Sequence, residues 1–187
     1  MRTIYFVRHA TPDLRNKTEE RTLSKKGMED SKLVFNYLLD KDISLFVSSP
    51  YPRSVQTIEP LARFLGKEIL LIDDFKERNV GAWVEDFSSY SKAQWNDFNY
   101  KLSGGESLNE VQTRNINALI KLMKESKDNN ICVGTHGTAL STIINYYDKS
   151  FTYNDFNKIK NLMPWIVVIR FDEENEIISI EEVNLIK

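Results

Sequence analysis

Short apolar runs alternate along this chain with longer amphipathic stretches, and that alternation constrains the fold more than any other feature. Thr3–Val7, Leu45–Ser48, Ile69–Ile72 and Asn130–Gly134 are dominated by apolar residues and have the length of strands buried on both faces. Between them, Lys25–Leu39 carries Met28, Leu33, Tyr37 and Leu38 near one helical face, and Arg53–Leu65 does the same with Ile58, Leu61, Ala62 and Leu65. Ser107–Lys124 repeats the pattern with Leu108, Val111, Ile116, Leu119, Ile120 and Met123, and Thr138–Tyr147 follows the fourth run. Strand–helix alternation predicts the α/β class: a mostly parallel central sheet with helices on both faces, a three-layer α/β/α sandwich. The tail differs, because Trp165–Phe171 and Ile177–Val183 are β-rich and flank the polar "DEENE", which predicts a terminal antiparallel pair. The aromatic and polar segment 85–102 has no clean period and is expected to be a helical insertion over the sheet edge. Its Tyr90, Trp95, Phe98 and Tyr100 fit a substrate-choosing rim and edge-covering core equally well. No repeat or linker divides the chain, so a single domain over residues 1–187 is expected.

Composition narrows the partners. The net charge is −2 and no basic stripe is present, unlike a typical nucleic-acid binder, so no nucleic-acid partner is expected. Cys132, the one cysteine, excludes an internal disulfide and any CxxC site, and between Ile131 and Val133 it reads as a small buried residue. No stretch approaches the roughly twenty apolar residues of a membrane span, and Arg8 cuts short the first apolar run. A cytoplasmic protein with no membrane partner is therefore expected; oligomeric state is left open.

The chemistry gathers where strands end. The chain has two histidines, His9 just past the first predicted strand and His136 just past the fourth. Ligands of parallel α/β sheets bind in the crevice outside the carboxyl ends of the strands, so both imidazoles are expected there. Either one alone would pass for a structural histidine; the pair, with none used elsewhere, points to a site. Arg8 leaves the first strand beside His9. The second strand ends in "SSPYPRSVQT", where Pro50 and Pro52 suit a helix start and Arg53 falls in the first helical turn. A cation is unfavourable at that positive end of a helix dipole unless an anion shares the site. In "VGTHGTAL" the backbone N–H groups of Gly137 and Thr138 open a helix and are expected to grip an anion. Arginine forks, imidazoles and a helix N-terminus converging on one crevice suit a phosphoryl group.

"VRHATPD", "TLSKKG", "SSPYPRSVQT", "FKERNVGAW", "GGES" and "VGTHGTAL" resemble, in order, the successive motifs of the histidine phosphatase (phosphoglycerate mutase-like) superfamily, from residue 3 to about 147. The resemblance implies that His9 is the nucleophile that becomes phosphohistidine, that Arg8, Arg53 and His136 hold the phosphoryl oxygens, and that Glu77 is the proton donor. It implies a small phosphate ester as substrate, no cofactor and no metal. Three departures stand out. Ala10 replaces the usual glycine, Asn16 falls one position later than the asparagine of "RHGxTxxN", and "ERNVGAW" lacks the "ERHYG" of glycolytic mutases. The last favours a metal-independent phosphomonoester hydrolase, with a cofactor-dependent phosphoglycerate mutase and a non-catalytic phosphate-binding module as the alternatives. A two-histidine metal site is disfavoured, since HxH and HxxxH spacings are missing and the flanking arginines repel a cation. Ser24 is expected to cap the first helix. Asp13, Asp73 and Asp74 read as turn or rim residues, and Arg78 is given no chemistry.

Overall fold

The computed structural model describes residues 1–183 and 185. In chain order the elements are β1 (Arg2–Arg8), α1 (Lys25–Leu38), β2 (Leu45–Ser48), α2 (Pro52–Phe64), β3 (Ile69–Leu71), a 3-10 turn (Asp73–Phe75), α3 (Phe87–Asn96), α4 (Leu108–Glu125), β4 (Asn130–Thr135), α5 (Gly137–Tyr147), α6 (Tyr153–Ile159), β5 (Trp165–Phe171) and β6 (Ile177–Val183). The six strands form one sheet in the order β3-β2-β4-β1-β5-β6, with β1, β2, β3 and β4 parallel. The tail is antiparallel as expected: β5 runs against both β1 and β6. By docking on β1, it puts that strand inside the sheet rather than at an edge.

Side-chain alternation along β1 builds the layers. Ile4 and Phe6 enter a core shared with α3, α4, α5 and α6, while Tyr5 and Val7 enter one shared with α1 and α2. Burying a side chain such as Phe6 or Leu119 stabilises the fold by about 2–3 kcal/mol. An exposed ion pair such as Lys158–Asp155 contributes ~0–1 kcal/mol, so packing decides where the helices lie.

Several sequence expectations need correction. The buried stripe of α1 is Gly27, Ser31, Val34 and Leu38, and Met28 is exposed. Small residues face the core here because the chain crosses closely: a Cβ on Gly27 would lie 2.1 Å from the Thr11 carbonyl oxygen. In α4, Ile120 is exposed and Leu122 takes its place in the core. Helix α6 was not expected, since seven residues with an exposed polar face leave a weak period. Within 85–102 only Phe87–Asn96 is helical, and it packs chiefly on α6 rather than on an edge strand. Trp95 lies among Phe98, Phe151 and Phe156, so this aromatic belongs to the core and not to a rim. Ser24 does cap α1, its hydroxyl accepting from Gly27 N at 3.0 Å.

Candidate active site

The register of β1, β4 and β2 brings three carboxyl ends level: Arg8 lies opposite Thr135, and Ser48 opposite Gly134. The next residues, His9, His136 and Ser49, therefore leave the sheet side by side. The ring centroids of His9 and His136 are 5.2 Å apart in an edge-on arrangement, although 127 positions of sequence number separate 9 from 136. The Tyr51 ring lies 5.3 Å from that of His136 and 4.8 Å from the Arg53 guanidinium carbon. The sequence pairing of the two imidazoles and Arg53 in one crevice thus has a structural counterpart.

His9 is polarised by its own backbone. Its Nδ1 lies 2.7 Å from the Ala10 carbonyl oxygen, which can only accept, so Nδ1 carries the proton and Nε2 keeps its lone pair. Burial, with Arg8, Arg53 and Arg21 nearby, pushes the His9 pKa down to about 3, so the ring is neutral at ordinary pH. His136 is fully buried and is likewise held well below the usual imidazole range, by burial and then by the neighbouring His9 and arginines. Its Nε2 is 2.8 Å from Ser49 Oγ, and that oxygen accepts from Tyr51 N at 3.3 Å, leaving the Ser49 O–H free to donate to Nε2. Its Nδ1 is buried with no partner among the described residues.

The arginines are anchored differently. Arg8 donates from Nη1 to the Ile159 and Leu162 carbonyls and from Nη2 to that of Lys160, so the end of α6 grips it. Its guanidinium packs so closely on Gly137 that a Cβ there would lie 2.9 Å from Cζ. Arg53 is 1% exposed and meets the anion that its helix position demands: Nη2 donates to Glu19 Oε2 at 2.7 Å, and Nη1 to the Glu19 carbonyl at 3.0 Å. Nε of Arg8, Arg21, Arg53 and Arg78 is in each case buried without a partner among the described residues.

The N-terminus of α5 corrects one expectation. Its anion is Glu77, whose Oε2 accepts from Thr138 N and Oε1 from Ala139 N, both at 3.0 Å, while Oε1 also accepts from Arg78 N at 2.8 Å. Thr138 N–H is therefore engaged by the carboxylate itself, one residue from the Gly137 that packs on Arg8. Sequence reasoning missed what holds Glu77. Arg114, from α4, donates to the carbonyls of Asp74, Lys76 and Glu77 at 2.7, 2.8 and 3.2 Å and pairs with Glu106 through Nε and Nη2. Glu106 also accepts from Asn79 N at 2.8 Å. The only signal was the glutamate of "GGES", since nothing in the helix marked Arg114. Arg78 is wedged against the Phe87 and Tyr90 rings and bonds Gln94 Oε1 at 2.5 Å. Asn16 turns away, its Oδ1 accepting from Thr18 N in an exposed turn, and Asp13 pairs with Arg15.

A cavity of about 520 Å³ opens between Glu19, Tyr51, Arg78 and the turn Asn79–Ala82. Gly81 holds that turn in a left-handed conformation (φ 82°), and a Cβ there would lie 2.3 Å from Gly105 N. Among the described residues no group of three or more His, Cys, Asp or Glu side chains is placed to hold a metal ion, and no helix is long and apolar enough to cross a membrane.

Known proteins resemble this chain in sequence or in fold. The uncharacterized phosphatase PhoE of Bacillus subtilis is 26% identical over 149 residues, which are 77% of this chain and 76% of that one. A mycobacterial glucosyl-3-phosphoglycerate phosphatase, solved with inorganic phosphate, superposes with a TM-score of 0.77 at 18% identity, covering 98% of this chain and 96% of its own. A phosphoserine phosphatase of Entamoeba histolytica, solved with 3-phosphoglyceric acid, gives 0.77 at 20% identity over 99% of both chains. The family model for the histidine phosphatase superfamily (branch 1) matches residues 4–184. With the family model spanning nearly its whole length, the chain belongs to the histidine phosphatase superfamily, branch 1.

Proposed function

We propose that this histidine phosphatase hydrolyses phosphomonoesters of small metabolites through a phosphohistidine at His9, without a metal. The observation that carries the reading is the His9 ring: Nδ1–H is committed to the Ala10 carbonyl at 2.7 Å, and a neutral Nε2 lone pair is left among buried arginines. Nε2 attacks phosphorus, the P–N bond forms, and the bond to the ester oxygen breaks. The protonated Glu77 carboxyl gives its proton to the departing oxygen. Water then attacks phosphorus, its proton passes to the Glu77 carboxylate, and the P–N bond breaks to release inorganic phosphate. Arg8, Arg53 and His136 face the phosphoryl oxygens, where fixed donors stabilise the charge of the transition state. With Nε2 of His136 bonded to the Ser49 hydroxyl, Nδ1 is the nitrogen left to donate. The relatives named for phosphoserine and glucosyl-3-phosphoglycerate support a small phosphorylated metabolite as substrate.

The test is hydrolysis of p-nitrophenyl phosphate by the wild type and by His9→Ala, with and without a chelator. We expect chelator-resistant release of phosphate, a stable 32P-labelled protein on acid-free quenching, and a loss of at least about 10³-fold in His9→Ala. Undiminished turnover in His9→Ala would sink the reading. Turnover that depends on added bisphosphoglycerate would replace it with a mutase.

A further inference from the structure

Glu19 and Arg21 lie outside the catalytic set, yet one carboxylate oxygen ties them to it. Glu19 Oε2 is 2.7 Å from Nη2 of Arg53 and 4.0 Å from Nη2 of Arg21, so it sits between two guanidinia. We infer that Arg21 is a third phosphate-binding arginine, held off by Glu19 until the oxyanion of the ligand displaces the Glu19 carboxylate from Arg53. The inference rests on the reading of the crevice as a phosphoryl site and adds to it a residue and an order of events.

The two side chains differ in how firmly the chain holds them. Glu19 is half exposed, in a run of exposed residues from 14 to 20. Arg21 precedes a pinned segment. Thr22 O accepts from Asp13 N at 2.8 Å, Leu23 N donates to Gln56 Oε1 at 2.8 Å, and Ser24 N donates to Thr11 O at 3.0 Å. Leu23 is itself buried. Glu19 is thus free to swing out while Arg21 stays. Among the described residues Arg21 also lacks a good partner, because 4.0 Å is beyond a hydrogen bond and its Nε is buried without an acceptor. A partly buried cation in that condition is unfavourable until an anion reaches it. A phosphate dianion carries more charge and more acceptor oxygens than the carboxylate it would replace, and Arg forks match it in two places at once. Glu19 meanwhile neutralises an otherwise cationic crevice, which lowers the apparent affinity for anions by the fraction of time it is bound.

Calorimetric titration of inorganic phosphate into the whole protein tests this directly, using the wild type, Arg21→Ala, Glu19→Gln and the double variant. Arg21→Ala should weaken phosphate binding by about tenfold, the size of one lost charge-assisted contact. Glu19→Gln should tighten it about three- to tenfold, and adding Arg21→Ala to Glu19→Gln should cancel that gain. Phosphate binding by Arg21→Ala within twofold of the wild type would overturn the inference, as would weaker binding in Glu19→Gln. The outcome is separable from the catalytic reading, because binding needs no turnover. A wild type that binds phosphate but hydrolyses no ester sinks only the phosphatase mechanism. One that hydrolyses esters, with Arg21→Ala binding phosphate normally, sinks only the role of Arg21.

Discussion

The floor of the crevice and its mouth are built on different principles. The floor consists of His9, His136, Arg8 and Arg53, each buried and fixed by the ends of β1, β4 or α2, and most of their partners are backbone carbonyls or hydroxyls. The mouth consists of Glu19 and the turn Asn79–Ala82, with Trp83, 85% exposed, next along the chain. On the proposed mechanism the floor groups must hold a reacting atom within a fraction of an ångström, and rigid strands provide that. Mouth groups meet ligands that come and go, and loops suit them.

The comparison breaks most visibly if a floor contact is disturbed by a single methyl group. In Gly137→Ala the new Cβ would lie 2.9–3.0 Å from Cζ, Nε and Nη2 of Arg8, which three carbonyls prevent from retreating. A fall in kcat of about 100-fold is expected, of the size seen when one fixed transition-state donor is misplaced, with the melting temperature as the control for folding. A second consequence lies in pH. The unfolded chain's imidazoles titrate near 6.5, whereas folded His9, pushed to about 3 by burial, and His136, held well below, stay neutral. Below pH 6.5 the unfolded state therefore binds more protons. Stability is fully present above 6.5 and should decline on acidification by about 1.4 kcal/mol per pH unit for each imidazole. Urea midpoints at pH 7 and pH 5 measure this, and His9→Asn should roughly halve the slope.

A smaller effect sharpens the boundary between floor and mouth. Arg114 reaches no reacting atom, but it clamps the backbone on which Glu77 sits. Arg114→Gln should cost about tenfold on an alkyl phosphate, whose leaving oxygen needs a proton, and about twofold on p-nitrophenyl phosphate, which leaves without one. Equal losses on both substrates would mean that the clamp only holds the fold together. The smallest change is expected at the mouth. Trp83→Ala should alter stability by no more than about 0.5 kcal/mol and leave p-nitrophenyl phosphate turnover within twofold.

Much of the floor was legible in the chain. Arg8 with His9, Arg53 after two prolines and His136 before a helix are each adjacent to strand ends that periodicity reveals. The braces were not legible, because Arg114 to Glu77 and Arg53 to Glu19 span 37 and 34 positions and follow no repeat. Helix faces were legible only roughly. Val34 and Leu122 line the core where Met28 and Ile120 were expected; in α1 the close crossing of Gly27 on Thr11, not apolarity, sets the rotation.

By itself the sequence determined the α/β layering and the strand ends from which Arg8, His9 and His136 project, since strand and helix periods are local properties of the chain. Only the tertiary structure decided which anion each cation meets: Glu19 on Arg53, Glu77 on the α5 N-terminus, and the α6 carbonyls on Arg8. Those pairings join segments that packing alone brings together, and an electrostatic contact depends on distance through space, which the order of residues does not encode.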